Sequence, residues 1–156
     1  MSTESRFSGR AQLALILGIR VLRTPVAFGA SGIVEDRQGR VALVRHSYKT
    51  GWYLPGGGVD RGEPPADAVI RELKEEIGLM HSAPPELLGL LTRKVGWATN
   101  VVALYRVRDA VVEFKPNFEI REMMFADPTA PPSGTTAGTR RRLAEIASGQ
   151  APSPYW

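Results

Sequence analysis

Apolar residues along this chain recur with two periods, and the switches between the periods mark its elements. Between Pro64 and Gly78, the residues Ala66, Ile70, Leu73 and Ile77 fall on one narrow stripe at roughly 100° per residue, which predicts an amphipathic helix. Pro64 and Pro65 suit its first turn, where backbone N–H groups have no intrahelical partner. Gly78 stands where a helix commonly stops. Elsewhere the apolar runs are shorter. Val26–Val34 is apolar nearly throughout, as in a strand buried on both faces, and Arg40–Arg45 follows it after the turn cluster Asp36-Arg37-Gln38-Gly39. Glu86–Val95 and Thr99–Val107 read as a hairpin through Gly96-Trp97-Ala98, and Ile120–Ala126 as a further strand. His46–Gly58, Met80–Pro85 and Phe114–Phe118 read as loops, and Asp127–Gly134 is proline-rich punctuation. Thr135–Ser148 reads as a closing helix with Leu143 and Ile146 inward and Arg140, Arg141 and Arg142 mostly outward. Strands flanking one mid-chain helix, with a second helix after them, predict an α/β fold in which helices sandwich a mixed sheet. The expected organisation is a tail and helix over 1–25, a single domain over 26–150 and a tail over 151–156, with no internal repeat.

The first segment departs from both periods. Residues 1–10 are polar and read as a poorly ordered tail. Residues 11–22, AQLALILGIRVL, are apolar, follow Arg6 and Arg10, and superficially resemble a signal peptide. The run is too short to span a membrane and is broken by Arg20, and cleavage near Ala27–Gly29 would remove part of the first strand. It reads as a helix that packs on the domain or on a second subunit, giving a homodimer. An interfacial membrane anchor is the alternative.

Composition narrows the chemistry. A chain of 156 residues with 43% hydrophobic content can bury a sizeable core as one domain. The absence of cysteine excludes disulfides, zinc–thiolate sites and cysteine nucleophiles, and agrees with a reducing cytoplasm. The formal net charge of +4 suits a polyphosphate ligand and is too small to argue for nucleic-acid binding.

The 64–78 helix carries more acid on one side than solubility requires. Glu72, Glu75 and Glu76 stand at i, i+3 and i+4, where like charges repel, and Arg71 relieves only part of this. A solvated acidic face would explain an isolated cluster of this kind. A hard divalent cation, which takes oxygen ligands, is the other explanation. Ahead of the helix, Gly56-Gly57-Gly58 allows close approach of a ligand to backbone.

The full spacing runs Gly57, five residues, Glu63, seven residues, Arg71-Glu72-Leu73, one residue, Glu75-Glu76, one residue, Gly78-Leu79. This resembles the box of the Nudix hydrolase family at every specified position. More loosely, the resemblance covers Val26 to Phe125. It implies a Nudix-type α/β/α sandwich with a loop–helix–loop motif, and an enzyme that hydrolyses a diphosphate bond with Mg²⁺, or Mn²⁺ in its place. It also implies Glu72, Glu75 and Glu76 as metal ligands, with the Gly57 carbonyl in addition, Arg71 orienting a glutamate, and Glu63 tying the loop to the helix beside the structural Gly78. In the resemblance the general base is a glutamate inside the box or one from a later loop; the segment F-E-I-R-E-M-M-F resembles the family's E-I-x-E-x-x-aromatic stretch, so Glu119 and Glu122 are the later candidates. Glu119 ranks first because it precedes the strand on a loop, whereas alternation fixes the direction of Glu122. Two exposed acids beside a strand are the bland alternative.

Substrate marks are absent. In the resemblance, ADP-ribose pyrophosphatases place a proline roughly fifteen residues past the box; Val95 stands near there. Dinucleoside polyphosphate hydrolases place a tyrosine slightly further on; Trp97 is the nearest aromatic. Neither the coenzyme A mark nor the NADH mark is present. Trp52, Tyr53 and Trp97 are candidates for stacking on a base, although large aromatics are more often core. The substrate class that follows is a small-molecule nucleoside diphosphate linked to another group, with no nucleic acid and no membrane span. A nucleotide-sensing module without hydrolysis is the competing reading, and a purely structural domain leaves the acidic cluster unexplained.

Overall fold

The computed structural model describes residues 3–156, with the side chains of residues 3–10 and of Gln12 outside the description. The central sheet has four strands in the order β3 (Gly56–Gly58), β1 (Val26–Val34), β6 (Ala98–Val107) and β5 (Glu86–Val95). β1 runs parallel to β6, in a register from Val26 opposite Thr99 to Val34 opposite Val107, while β3 and β5 are antiparallel to their neighbours, so the sheet is mixed. β2 (Val41–His46) pairs antiparallel with β8 (Ile120–Ala126), and β4 (Leu79–His81) with β7 (Val111–Val112).

The alternation of side chains along each strand divides the core in two. Ala30 and Val34 of β1, Ala42 and Val44 of β2, and Ala103, Tyr105 and Val107 of β6 pack with Ala68, Val69, Leu73 and Ile77 of α2 (Pro65–Ile77). Their neighbours in sequence, Ile33, Val41, Leu43 and Leu104, pack with Trp52, Leu54, Leu91 and Leu143, the last from α3 (Ala137–Ser148). One helix therefore covers each cluster, as the sandwich expectation requires. Leu73 and Ile77 are fully buried, and removing each from water stabilises the fold by about 1.5–3 kcal/mol. α2 ends on Gly78, whose left-handed φ of 66° lets its N–H reach the carbonyls of Leu73 and Lys74. A Cβ there would strike the Glu113 carbonyl, so the glycine also sets how closely the helix end meets the 113 backbone.

Several expectations require correction. The helix α1 (Thr3–Arg23) begins within the stretch expected as a loose tail. Its described side chains from Ala11 to Arg23 are all exposed, so it does not pack on the domain. No described helix is long and apolar enough to cross a membrane. Arg142 points inward and is 1% exposed; it is the largest fully buried side chain. Two acceptors explain this: Arg142 Nη2 donates to Glu145 Oε1 at 2.7 Å, and Nη1 to the Ser153 carbonyl at 3.2 Å. The segments read as loops at 56–58 and 80–85 contain β3 and most of β4, which are too short to leave a periodic signal. The segment 151–156 is tied down. Pro154 and Trp156 exchange backbone hydrogen bonds with Thr92 at 2.8 and 3.1 Å, extending the edge of β5.

Candidate active site

The site forms where the glycine strand β3 meets the inner face of α2. Gly56, Gly57 and Gly58 stand opposite Ser31, Ala30 and Gly29 of β1. The Gly56 N–H donates to Glu76 Oε2 at 2.7 Å. The Glu72 carboxylate lies where a Cβ on Gly57 would stand, so only glycine admits this approach.

Arg71 organises the outer part of the site. Its Nε and Nη2 donate to the two oxygens of Glu63 at 2.9 Å each, its Nη1 to Glu72 at 2.7 Å, and Nη2 also to the Gly58 carbonyl at 3.0 Å. Glu63 in turn accepts from the Asp60 N–H at 2.9 Å. These bonds bind the loop before the helix to its second turn. With the Arg71 hydrogen bonds as the main cause, Glu63 is held down at about 2. Glu75 is the outermost of the three helix acids, 62% exposed, with Arg71 Nη1 at 3.6 Å.

Glu76 differs from its neighbours. The apolar stripe places it with the polar face, yet it is 3% exposed, because the buried face of α2 runs through Ala68, Val69, Leu73, Glu76 and Ile77. Burial pushes its pKa up to about 8, with the Glu119 and Glu72 carboxylates adding to this and the Gly56 N–H and Lys49 opposing it. Its companions are His46, at the end of β2, and Glu119, on the loop before β8. One ligand atom from each of the three lies within 4.8 Å of the others. His46 is buried and its Nδ1 has no hydrogen-bond partner. Burial first, and then Lys49, lower its pKa to about 4, so its ring is neutral at ordinary pH and offers a lone pair. Glu119 accepts from the Tyr48 hydroxyl at 3.0 Å, and its own N–H donates to Asn117 Oδ1 at 3.0 Å. Two carboxylates beside an unpartnered imidazole nitrogen, with Glu72 close by, supply the oxygen and nitrogen donors a divalent cation takes. Glu122 points elsewhere, to Arg45 Nη1 at 3.0 Å.

Of the three aromatic candidates, only Tyr53 lines the cleft beside β3. Trp52 is 4% exposed within the core and is not available for stacking on a ligand; the Arg45 guanidinium lies 4.5 Å from its ring centre. Trp97 stands at the tip of the β5–β6 hairpin, 78% exposed and outside the cleft wall. Sequence reasoning missed His46, Tyr48 and Lys49. Their proximity to the helix acids comes from the pairing of β2 with β8, which brings Ser47 N–H to the Glu119 carbonyl at 2.8 Å. The one available signal was that His46 is among only two histidines and lies just before an aromatic-rich loop.

Comparison with known proteins bears on the family and the fold. The family model described as the NUDIX domain matches residues 25–142. An RNA pyrophosphohydrolase of Shewanella sediminis (strain HAW-EB3) is 42% identical over 65 residues, which is 42% of this chain and 36% of that protein. The chain thus aligns with little more than a third of that relative's length. Among solved structures, a MutT NUDIX hydrolase from Burkholderia pseudomallei superposes with a TM-score of 0.67 at 23% identity, covering 78% of this chain and 98% of the other. A C. elegans Ap4A hydrolase superposes with a TM-score of 0.62 at 19% identity, covering 79% and 96%. At these identities the superpositions establish the shared fold.

Proposed function

We propose, on the premise that this chain belongs to the NUDIX domain family, that it hydrolyses a phosphoanhydride bond in a nucleoside diphosphate linked to a second group. The observation that carries this reading is the buried Glu76, which meets Glu119 and His46 directly behind the glycine strand. Glu72, Glu75 and Glu76 would hold the divalent ion, Mg²⁺ or Mn²⁺, together with the Gly57 carbonyl. When bound, the ion supplies charge neutralisation at the phosphoryl oxygens and lowers the pKa of a bound water. Arg71 serves by fixing Glu72, and Glu63 by fixing Arg71. Glu119 arrives from a loop, so it suits the role of accepting the proton of the attacking water, while the Tyr48 hydroxyl steadies one of its oxygens.

The test is product release from a panel of nucleoside diphosphate sugars, dinucleoside polyphosphates, nucleoside triphosphates and 5′-triphosphorylated RNA. The RNA belongs in the panel because of the relatives named RNA pyrophosphohydrolase. Cleavage of at least one nucleotide with Mg²⁺ or Mn²⁺, and none in EDTA, is expected. Cleavage that persists in EDTA, or none of any compound, overturns the reading. Binding without cleavage would favour the sensing module; the full set of box carboxylates argues for the enzyme.

Gly57→Ala offers a sharper check. Its backbone conformation is open to alanine, and the nearest obstacle is the end of the Glu72 side chain. The substitution should leave the melting temperature within about 3 °C, since the obstacle is the flexible end of one partly exposed side chain. Turnover should nevertheless fall at least about tenfold as Glu72 is displaced. Unchanged turnover would remove Glu72 from the ligand set.

A further inference from the structure

The cleft beside β3 has a volume of about 520 Å³, ample for a nucleotide, and its far wall is built by a segment the catalytic reading does not use. We propose that Trp156 forms a nucleobase subsite, on which the base of a bound nucleotide stacks while Lys49 and Arg93 take its phosphates. The subsite rests on the reading of the β3 end as the diphosphate end.

Three observations carry this. First, the charged side chains lining the cleft are Lys49 and Arg93, with no side-chain carboxylate among them, and its aromatic groups include Phe28, Tyr53 and Trp156. A wall of this kind matches a ligand with an anionic part and a flat aromatic part. Second, the cationic groups are held in position. The Lys49 ammonium lies 4.3 Å from the centre of the Tyr53 ring. With the Asn100 amide turned to satisfy both ends, it donates to the Ala27 carbonyl at 3.3 Å and accepts from Arg93 Nε at 3.2 Å.

Third, the placement of Trp156 is built rather than incidental. Glu145 Oε1 accepts from both Arg142 Nη2 and the Ser153 N–H, and Arg142 Nη1 donates to the Ser153 carbonyl. A fully buried arginine thus grips the backbone three residues before the tryptophan. Pro154 and Trp156 are then pinned to Thr92 of the edge strand. The indole comes to rest on the start of α3, where a Cβ added at Gly138 would approach its Nε1 to 2.6 Å. The indole also packs against the second core cluster, and its remaining surface forms part of the wall of the cleft.

The experiment measures binding, so it does not depend on cleavage. Two probes resist hydrolysis: α,β-methylene-ADP, which carries a base, and methylenediphosphonate, which does not. Calorimetry in Mg²⁺ should find that Trp156→Ala weakens the nucleotide probe by tenfold or more and leaves the diphosphonate within twofold. Trp156→Phe should restore most of the loss. Gly138→Ala, which favours the helix but displaces the indole, should weaken the nucleotide probe while leaving the melting temperature unchanged or higher. Equal loss of both probes in Trp156→Ala, unaltered nucleotide affinity in Gly138→Ala, or no nucleotide binding by the unmodified chain would each overturn the subsite. A chain that binds the nucleotide through Trp156 yet cleaves nothing on the panel would keep the subsite and defeat the hydrolase.

Discussion

Glu76→Gln is expected to reduce turnover at least about 100-fold, beyond what loss of a supporting partner of a metal ligand costs. The reason lies in burial. Glu76 is 3% exposed and faces the Glu119 and Glu72 carboxylates, so its charge is tolerable only with a cation among them. An amide retains the shape and can still accept from the Gly56 N–H at the same place. The fold therefore has no reason to change, and the metal-free variant should melt at the same temperature as the parent or above it, because a buried repulsion has been removed. Two measurements decide the matter: initial rates on whichever panel compound is cleaved, and thermal unfolding in EDTA. Turnover within a few-fold of the parent would show that Glu76 holds no ion. A large drop in melting temperature would show that the loss of activity came from the fold.

The second large effect concerns stability. Leu73→Ala should cost about 2–5 kcal/mol, through lost burial and the cavity left behind. Leu73 is fully buried in the cluster that α2 shares with β1, β2 and β6, and its methyl groups lie against Gly32, where a Cβ would come within 3.4 Å. For a domain of this size the loss corresponds to roughly 4–20 °C in melting temperature. An unchanged transition in circular dichroism would mean that α2 packs on the sheet in a different phase.

That phase also shows what the sequence could and could not disclose. The stripe Ala66, Ile70, Leu73, Ile77 finds the helix and its buried side correctly at Leu73 and Ile77, but it is drawn from apolar residues only. Ala66 and Ile70 are only partly buried, whereas Ala68, Val69 and the charged Glu76 are inside. Periodicity cannot register a carboxylate buried for function. The strands at 26–34, 86–95 and 120–126 are legible because each is a long run between turn residues, although Val26, Ala27 and Phe28 are exposed where the apolar run predicts burial on both faces, and β2 and β6 are found within one residue. β3, β4 and β7, of two or three residues, are held by partners far along the chain and leave no local trace. The same holds for His46, placed beside Glu119 by strand pairing, and for Trp156, placed by the buried Arg142. The arginine run 140–142 looks uniformly solvated because nothing nearby in sequence says that Ser153 will return to meet it.

The parallel pairing of β1 with β6 has a consequence for how the chain acquires this structure. β1 is made early, yet its partner on that side spans Ala98–Val107, so Val26 must wait for Thr99 and Val34 for Val107. On a ribosome, β1, β2 and the whole of α2 emerge before the sheet that receives them can close. During that interval Ala30, Ile33 and Val34 are unsheltered. Local contacts within α2 and the antiparallel β5–β6 hairpin can form as soon as they emerge; the parallel β1–β6 register, and the β2–β8 pairing that needs a strand made later still, carry the long-range cost. Substitutions that weaken the β5–β6 hairpin should therefore lengthen the time for which the nascent chain depends on chaperones, even where the finished protein tolerates them.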